Sequence, residues 1–257
     1  MPKGAALITG ASAGIGAELA KLCAADGYSP ILVARRADEL QELAASLSKT
    51  QGVAARALAA DLSDPSAPQS ICDATRRDTV EILINNAGFG LRGAFAETDW
   101  QAEQRMIEVN IKALTHLTKL YLPDMLRRRS GRILNVASTA AYVPGPFMAF
   151  YYASKAFVRS FSEAVADEVK GSGVTVTVLS PGPTRTSFFE SAGITDSNLL
   201  KGSSMNASEV ARIGYQAMMA GKVEVIAGAR NRWMMLGTRL APRTMLAGIA
   251  RKLNSSA

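Results

Sequence analysis

The strongest constraint on how this chain can fold is an alternation. Short apolar runs recur along it, separated by longer stretches of helical periodicity. The runs are AALIT (5–9), SPILVA (29–34), AARALAA (54–60), EILIN (81–85), GRILNVAS (131–138), VTVTVLS (174–180) and VEVIA (223–227). Helical patterns fall near 15–26, 38–50, 66–77, 98–128, 152–171 and 208–220. A run that is apolar throughout, instead of at every second residue, suits a strand covered on both faces. Strand–helix alternation puts those covers in place as helices on both sides of a mostly parallel sheet. The expected fold is therefore α/β: one doubly wound parallel sheet of about seven strands, occupying residues 1–227. Residues 181–207 interrupt the rhythm after the sixth run and are rich in Gly, Ser, Thr and Pro. A long loop at the carboxyl end of a strand is where such sheets bind ligands.

Composition narrows the class. Hydrophobic residues make up 48% and aromatics 6%, which suits a core of Ala, Val, Ile and Leu. Cys23 and Cys72 each fall in a helical segment, and neither metal spacing nor a disulfide framework is present. The lone His116 lies in another helical pattern, so no metal is expected. The N-terminus enters a strand at once, without the ordered parts of a signal peptide, and no apolar run reaches the ~20 residues of a spanning helix. A cytoplasmic location is expected. The net charge of +7 is concentrated at the end of the chain. Lys222, Arg230, Arg232, Arg239, Arg243, Arg251 and Lys252 stand there against Glu224 alone.

Gly10, Gly14 and Gly16 in LITGASAGIGAELA lie between the first strand and the first helix. Glycines there let the backbone approach a pyrophosphate seated at a helix N-terminus, although glycine-rich turns also occur for steric reasons alone. Ile15 belongs to the same turn. At the end of the second strand, where an NAD site usually places an acid for the ribose hydroxyl, this chain has Arg35 and Arg36. A guanidinium suits a 2′-phosphate, so NADP(H) is favoured over NAD; the alternative is two solvated arginines. Asp38 and Glu39 read as first-turn residues of the next helix. Ser12 is either a phosphate contact or a turn serine.

In AFYYASKAF (149–157), Tyr151 stands four residues before Lys155 and Tyr152 three before it. On a helix both spacings share a face with the lysine, so periodicity alone does not choose between the tyrosines. The order of TGASAGIG, NNAG (85–88), Asn110, Ser138 and Tyr151-x-x-x-Lys155 resembles the classical short-chain dehydrogenase/reductase family, over residues 5 to about 227. It is most similar to a bacterial NADP-preferring branch. The resemblance implies a Rossmann-type fold and selects Tyr151. Tyr152 is then a residue of the pocket wall or of a subunit contact.

The same resemblance implies catalysis by Asn110, Ser138, Tyr151 and Lys155. In a carbonyl reduction the nicotinamide carries the hydride step and a protein group must protonate the oxygen. Free tyrosine, with a pKa near ~10, is a weak acid for that task. A nearby ammonium is expected to lower its pKa, and Ser138 can donate to the developing oxyanion. By resemblance, Lys155 also binds the nicotinamide ribose. Asn110 matches the member that holds a water in a proton relay; it also reads as a buried amide satisfying helix backbone, and the two readings are compatible. Asp61 and Leu62 match the adenine-pocket pair, and Asn86, Ala87 and Gly88 the segment beside the adenine ribose. Pro181, Gly182, Thr184 and Thr186 match the nicotinamide-side element. Asn85 reads more as a sheet stabiliser than as a cofactor contact.

Phe188, Phe189, Ile194, Leu199, Leu200 and Met205, with Phe147, Met148 and Phe150, suggest an apolar substrate pocket. Arg92 and Arg185 read as solvated residues before carboxylate clamps. The basic extension 228–257 carries two apolar stripes, Trp233/Leu236/Leu240 and Met245/Ile249/Leu253, with Pro242 between two expected helices. It is expected to pack on its own domain or a partner subunit. Self-association as a homodimer or homotetramer ranks first for it, and peripheral membrane contact second. Nucleic acid is excluded by the lack of a basic-aromatic platform. The leading reading is an NADP(H)-dependent carbonyl reductase of hydrophobic ketones, aldehydes or 3-oxoacyl compounds. A non-catalytic NADP(H)-sensing protein and a membrane-surface reductase of lipidic substrates are the alternatives.

Overall fold

The computed structural model describes residues 3–186 and 204–255. Six strands precede the substrate loop: β1 (Ala5–Thr9), β2 (Ser29–Ala34), β3 (Arg56–Ala59), β4 (Val80–Asn85), β5 (Gly131–Val136) and β6 (Val174–Ser180). Two-residue strands β7 (Thr184–Arg185) and β8 (Met205–Asn206) pair with each other, and β9 (Glu224–Ile226) returns to the main sheet. The main sheet has seven parallel strands in the order β3-β2-β1-β4-β5-β6-β9. The chain reverses its direction of winding between β1 and β4, which opens a crevice at their carboxyl ends.

Helices cover both faces. On one side α1 (Gly14–Ala25), α2 (Ala37–Gln51) and α7 (Ala207–Met219) pack Leu19, Leu40 and Met218 against Ile8, Ile84 and Leu134. On the other, α3 (Ala67–Ala74), α5 (Leu114–Arg128) and α6 (Ala149–Glu168) pack Ile71, Leu117 and Val165 against Leu7, Leu83 and Ile133. Neighbouring strand residues thus point to opposite cores, and both positions are apolar because both sides are covered. Strand β3 departs from this pattern. It is the sheet edge, only partly buried, and shorter than the apolar run 54–60 suggested.

The stretch 98–128 is not one regular helix. Helix α4 (Trp100–Ile107), capped by the Asp99 carboxylate, leads through a π-helical turn at Glu108–Ala113 into α5. The wider turn inserts an extra residue into the helical ladder, a change that often marks functional sites, and it carries Asn110. A buried polar ladder crosses the sheet beneath. Asn85 Nδ2 donates to Asn135 Oδ1 (2.9 Å) and Thr118 Oγ1 (3.2 Å), and Asn135 Nδ2 donates to Ser162 Oγ on α6 (2.9 Å). Asn85 is therefore a sheet-centre residue.

After β9, α8 (Ala229–Gly237) and α9 (Arg243–Asn254) follow, with Pro242 at the start of α9. Met235, Leu246 and Ala250 turn inward, while Trp233, Leu236, Leu240, Met245, Ile249 and Leu253 stay exposed. Among the described residues, no helix is long and apolar enough to cross a membrane. Cys23 and Cys72 are free, and burial raises the pKa of both thiols.

Candidate active site

One cleft of about 740 Å³ lies across the carboxyl ends of β1, β2, β4, β5 and β6. Its lining includes Gly10, Ser12, Gly14, Ile15, Arg35, Arg36, Asp61, Leu62, Asn86, Ala87, Gly88, Ser138, Tyr151, Lys155, Pro181, Gly182, Thr184 and Thr186. Two expected site residues stand behind that surface. Gly16 is a packing glycine: a Cβ there would lie 2.3 Å from the Gly10 carbonyl oxygen. Asn110 is buried, and its amide is engaged with protein. Its Nδ2 donates to Phe89 O (3.0 Å) and Ser154 Oγ (3.1 Å), and its Oδ1 accepts from Phe89 N (3.1 Å).

The nucleotide end is made from main chain. Gly10 and Gly14 have φ of 64° and 57°, conformations that glycine adopts freely. A Cβ on Gly10 would approach Ala87 Cα to 2.9 Å, and one on Gly14 would meet the Thr186 methyl at 2.9 Å. Thr9 Oγ1, which sequence reasoning missed, accepts from the main-chain nitrogens of Asn86 and Ala87, both at 3.0 Å. Asn86 Nδ2 returns bonds to Thr9 O (2.9 Å) and Gly10 O (3.1 Å). These bonds clamp the ends of β1 and β4 together where the Gly10 turn lines the crevice. Arg36 is exposed and oriented: it donates to Ser12 Oγ at 3.0 Å and pairs with Glu39 at 3.1 Å. Asp61 Oδ1 accepts from the Ser63 main-chain N and hydroxyl, both at 2.9 Å.

The other end is made from side chains on β5 and α6. Tyr151 is hydrogen-bonded by the Ser138 side chain. Ser138 Oγ also accepts from Ala140 N at 3.1 Å, which caps a short 3-10 turn (Thr139–Tyr142). Lys155 is buried, donates from Nζ to Val136 O at 2.9 Å, and lies 5.9 Å from the Tyr151 ring centroid. Gly88 makes room for this arrangement: a Cβ there would stand 3.0 Å from Asn110 Oδ1 and 3.2 Å from Lys155 Nζ. Burial is the dominant influence on both titrating groups. It pushes the Tyr151 phenol up to about 12 against the opposing hydrogen bond from Ser138, and pulls the Lys155 ammonium down to about 8. The direction is opposite to the expected depression of the tyrosine by its lysine: burial raises the phenol, and the Ser138 hydrogen bond is what opposes it.

Tyr152 lines the cleft beside Tyr151, but its hydroxyl points away and donates to Asn254 Oδ1 at 3.0 Å. Of the apolar residues expected in the pocket, Met148 lines the cleft. Phe150 instead packs with Phe95 and Trp100, Phe147 lies under the Arg251 guanidinium, and Met205 packs against Gly228. Phe188, Phe189, Ile194, Leu199 and Leu200 fall outside the described residues. Arg185 donates to Ser204 Oγ, and neither it nor Arg92 reaches the cleft. Arg105, Val109, Asn231 and Asn254 were missed as well. Asn231 covers Gly182, where a Cβ would meet its Nδ2 at 2.4 Å.

The residues present fit a dinucleotide: a glycine turn, a helix N-terminus and an oriented arginine at one end, and a Tyr–Ser–Lys cluster at the other. The family model described as short chain dehydrogenase matches residues 4–196. This chain belongs to the short-chain dehydrogenase family. It is 40% identical over 185 residues to a very-long-chain 3-oxoacyl-CoA reductase of Phaeosphaeria nodorum, across 68% of this chain and 53% of that protein. It is 36% identical over 183 residues to dehydrogenase/reductase SDR family member 7B of Bos taurus, across 68% of this chain and 56% of that protein. The matches thus span little more than half the length of either relative. Among solved structures, a short-chain dehydrogenase from Sphingobium yanoikuyae in complex with NADPH superposes with a TM-score of 0.84 at 34% identity, covering 93% of this chain and 94% of that one.

Proposed function

We propose that this short-chain dehydrogenase is an NADP(H)-dependent reductase of hydrophobic ketones, aldehydes or 3-oxoacyl compounds, reversible as an alcohol dehydrogenase. The observation that carries the reading is the buried Tyr151 hydroxyl, bonded by Ser138 and backed by Lys155, at the end of a crevice whose other end presents Arg36. When bound, the reduced nicotinamide supplies a hydride to the carbonyl carbon. Ser138 donates a hydrogen bond to the carbonyl oxygen as negative charge gathers there. Tyr151 is protonated at neutral pH, its pKa being raised by burial, and gives its proton to that oxygen as negative charge there makes it a strong enough base to take it. Lys155 stabilises the tyrosinate left behind and would hold the ribose hydroxyls of the bound cofactor. Arg35 and Arg36 would hold the 2′-phosphate by charge-assisted hydrogen bonds. Ala140 and Met148, which line the cleft beside the tyrosines, favour an apolar substrate. The NADPH-bound neighbour and the 3-oxoacyl-CoA reductase among the relatives support the same assignment.

The test is NADPH oxidation against a panel of hydrophobic ketones, aldehydes and 3-oxoacyl thioesters, with NADH and Tyr151→Phe alongside. Turnover with NADPH that disappears in the variant is expected. Tight NADPH binding with no turnover on any member would overturn catalysis in favour of a sensing role.

One observation favours a second element of the reading, work at an anionic lipid surface. Trp233 and Leu240 are 74% and 92% exposed and stand among Arg230, Arg232, Arg239 and Arg243. A symmetric pairing of this face would set like charges together, so a negative bilayer suits it better than a second copy. Homodimer or homotetramer contact belongs instead with the exposed Phe157, stacked on Phe161 along α6. Co-sedimentation with phosphatidylglycerol vesicles, and light scattering of the eluted protein, test the two surfaces separately.

A further inference from the structure

We infer that α9 is a latch that sets the position of the substrate-side wall of the cleft, with Asn254 and Arg251 as its positioning residues. The segment 143–148 follows the short turn after Ser138, feeds α6 and contributes Met148 to this wall. Asn254 is fully buried, and its one amide ties this segment to Tyr152 on α6. Its Nδ2 donates to Pro146 O at 2.9 Å, and its Oδ1 accepts from Tyr152 OH at 3.0 Å. One turn earlier in α9, the Arg251 guanidinium lies 4.9 Å from the Phe147 ring centroid.

Phe147 is the reason a latch matters. Its φ is 66°, in the left-handed region that a phenylalanine rarely adopts. Such a conformation persists only where neighbours impose it. The restraints are Gly93 N, which donates to Phe147 O at 2.9 Å, Asn254 on the preceding carbonyl, and Arg251 on the ring. Gly145 adds a further contact: it lies against the Tyr152 ring so closely that a Cβ would come to 2.1 Å of Cγ. Met148, the next residue, lines the cleft. Ala250 of α9 packs in one cluster with Met106, Met148, Tyr151 and Tyr152. Releasing α9 would let Phe147 relax and shift Met148 and Tyr152. Tyr151 would keep its bond from Ser138 and Lys155 its bond to Val136. The latch therefore acts on substrate fit, not on proton transfer.

The kinetic arm of the test rests on the reductase reading; a second arm does not. Asn254→Ala, Tyr152→Phe and the double variant are made in the full chain. Hydrogen–deuterium exchange is followed over residues 143–152, with 5–25 as internal control. The loss of two hydrogen bonds in Asn254→Ala should speed exchange at 143–152 by about tenfold and leave 5–25 unchanged. For ketones of the panel that turn over, KM should rise about tenfold in Asn254→Ala with kcat within about threefold. NADPH affinity should not change. The double variant should resemble Asn254→Ala alone, because the two residues share a bond. Unaltered exchange at 143–152 would overturn the latch. So would additive effects, or a uniform loss of kcat, NADPH affinity and protection across the chain. If no ketone turns over, the reductase reading fails and the exchange arm alone decides the latch.

Discussion

The two ends of the cleft are built from different materials. At the nucleotide end the part that a phosphate would approach is main chain, from Gly10, Gly14 and the Asn86–Ala87 peptide clamped by Thr9, with the Arg35 and Arg36 side chains beside it. The substrate end is side chain: Tyr151, Ser138 and Lys155, with Tyr152 tied to Asn254 across 102 positions of sequence. The difference teaches how each can fail. A backbone surface is spoiled by adding one carbon, whereas a side-chain surface is spoiled by removing a partner, sometimes a distant one.

The largest effect should come from the substrate end. Tyr151→Phe removes the proton donor, and kcat should fall by about 10²–10⁴-fold while NADPH titration gives unchanged affinity. At the nucleotide end, replacing Arg35 and Arg36 with Ala should weaken NADPH by about 10- to 100-fold. NADH should be affected far less in parallel fluorescence titrations; equal losses for the two cofactors would refute the phosphate assignment.

Gly16→Ala tests the backbone account directly. Its Cβ would fall 2.3 Å from Gly10 O, and overpacking of this kind costs about 1–3 kcal/mol, seen as a lower Tm. A variant as stable as the parent would show that the turn can yield.

Titration separates the ends without mutation. Reduction uses a protonated Tyr151 and a charged Lys155. As pH rises, Lys155 loses its charge first, near 8, while Tyr151 keeps its proton to about 12. The kcat/KM for reduction should therefore fall with a single limb near pH 8. A limb confined to much higher pH would place control on the tyrosine. Smallest is Tyr152→Phe, with kcat within about threefold and a modest rise in KM. If that variant were inactive and Tyr151→Phe active, the two tyrosines would have been assigned in the wrong order.

What was legible in the sequence divides along the same line. Glycine positions, the apolar runs and the Tyr-x-x-x-Lys spacing are local, and each corresponds to a strand, a turn or a helix face of the structure. The edge position of β3 depends on which strands flank it, so the run 54–60 overstated its length and burial. The π-turn at Asn110 changes the hydrogen-bond pattern without a change of composition, and one helix was expected across it. The pKa of Tyr151 depends on how much water the folded site excludes, which no spacing records. Asn254 and Asn231 carried no signal at all, because their significance lies in Tyr152, Pro146 and Gly182, brought near only by the completed fold.

The amide ladder through Asn85 and Asn135 bears on how such a site can be inherited or transplanted. Its members lie on β4, β5 and α6, so the helix bearing Tyr151 is registered to the sheet by bonds that no single segment contains. Changing either asparagine alone strands a buried polar group on its neighbour. Anyone grafting a new substrate specificity onto this scaffold should move Asn85, Asn135 and Ser162 as a single cassette, and descendants of the chain should exchange them together or not at all.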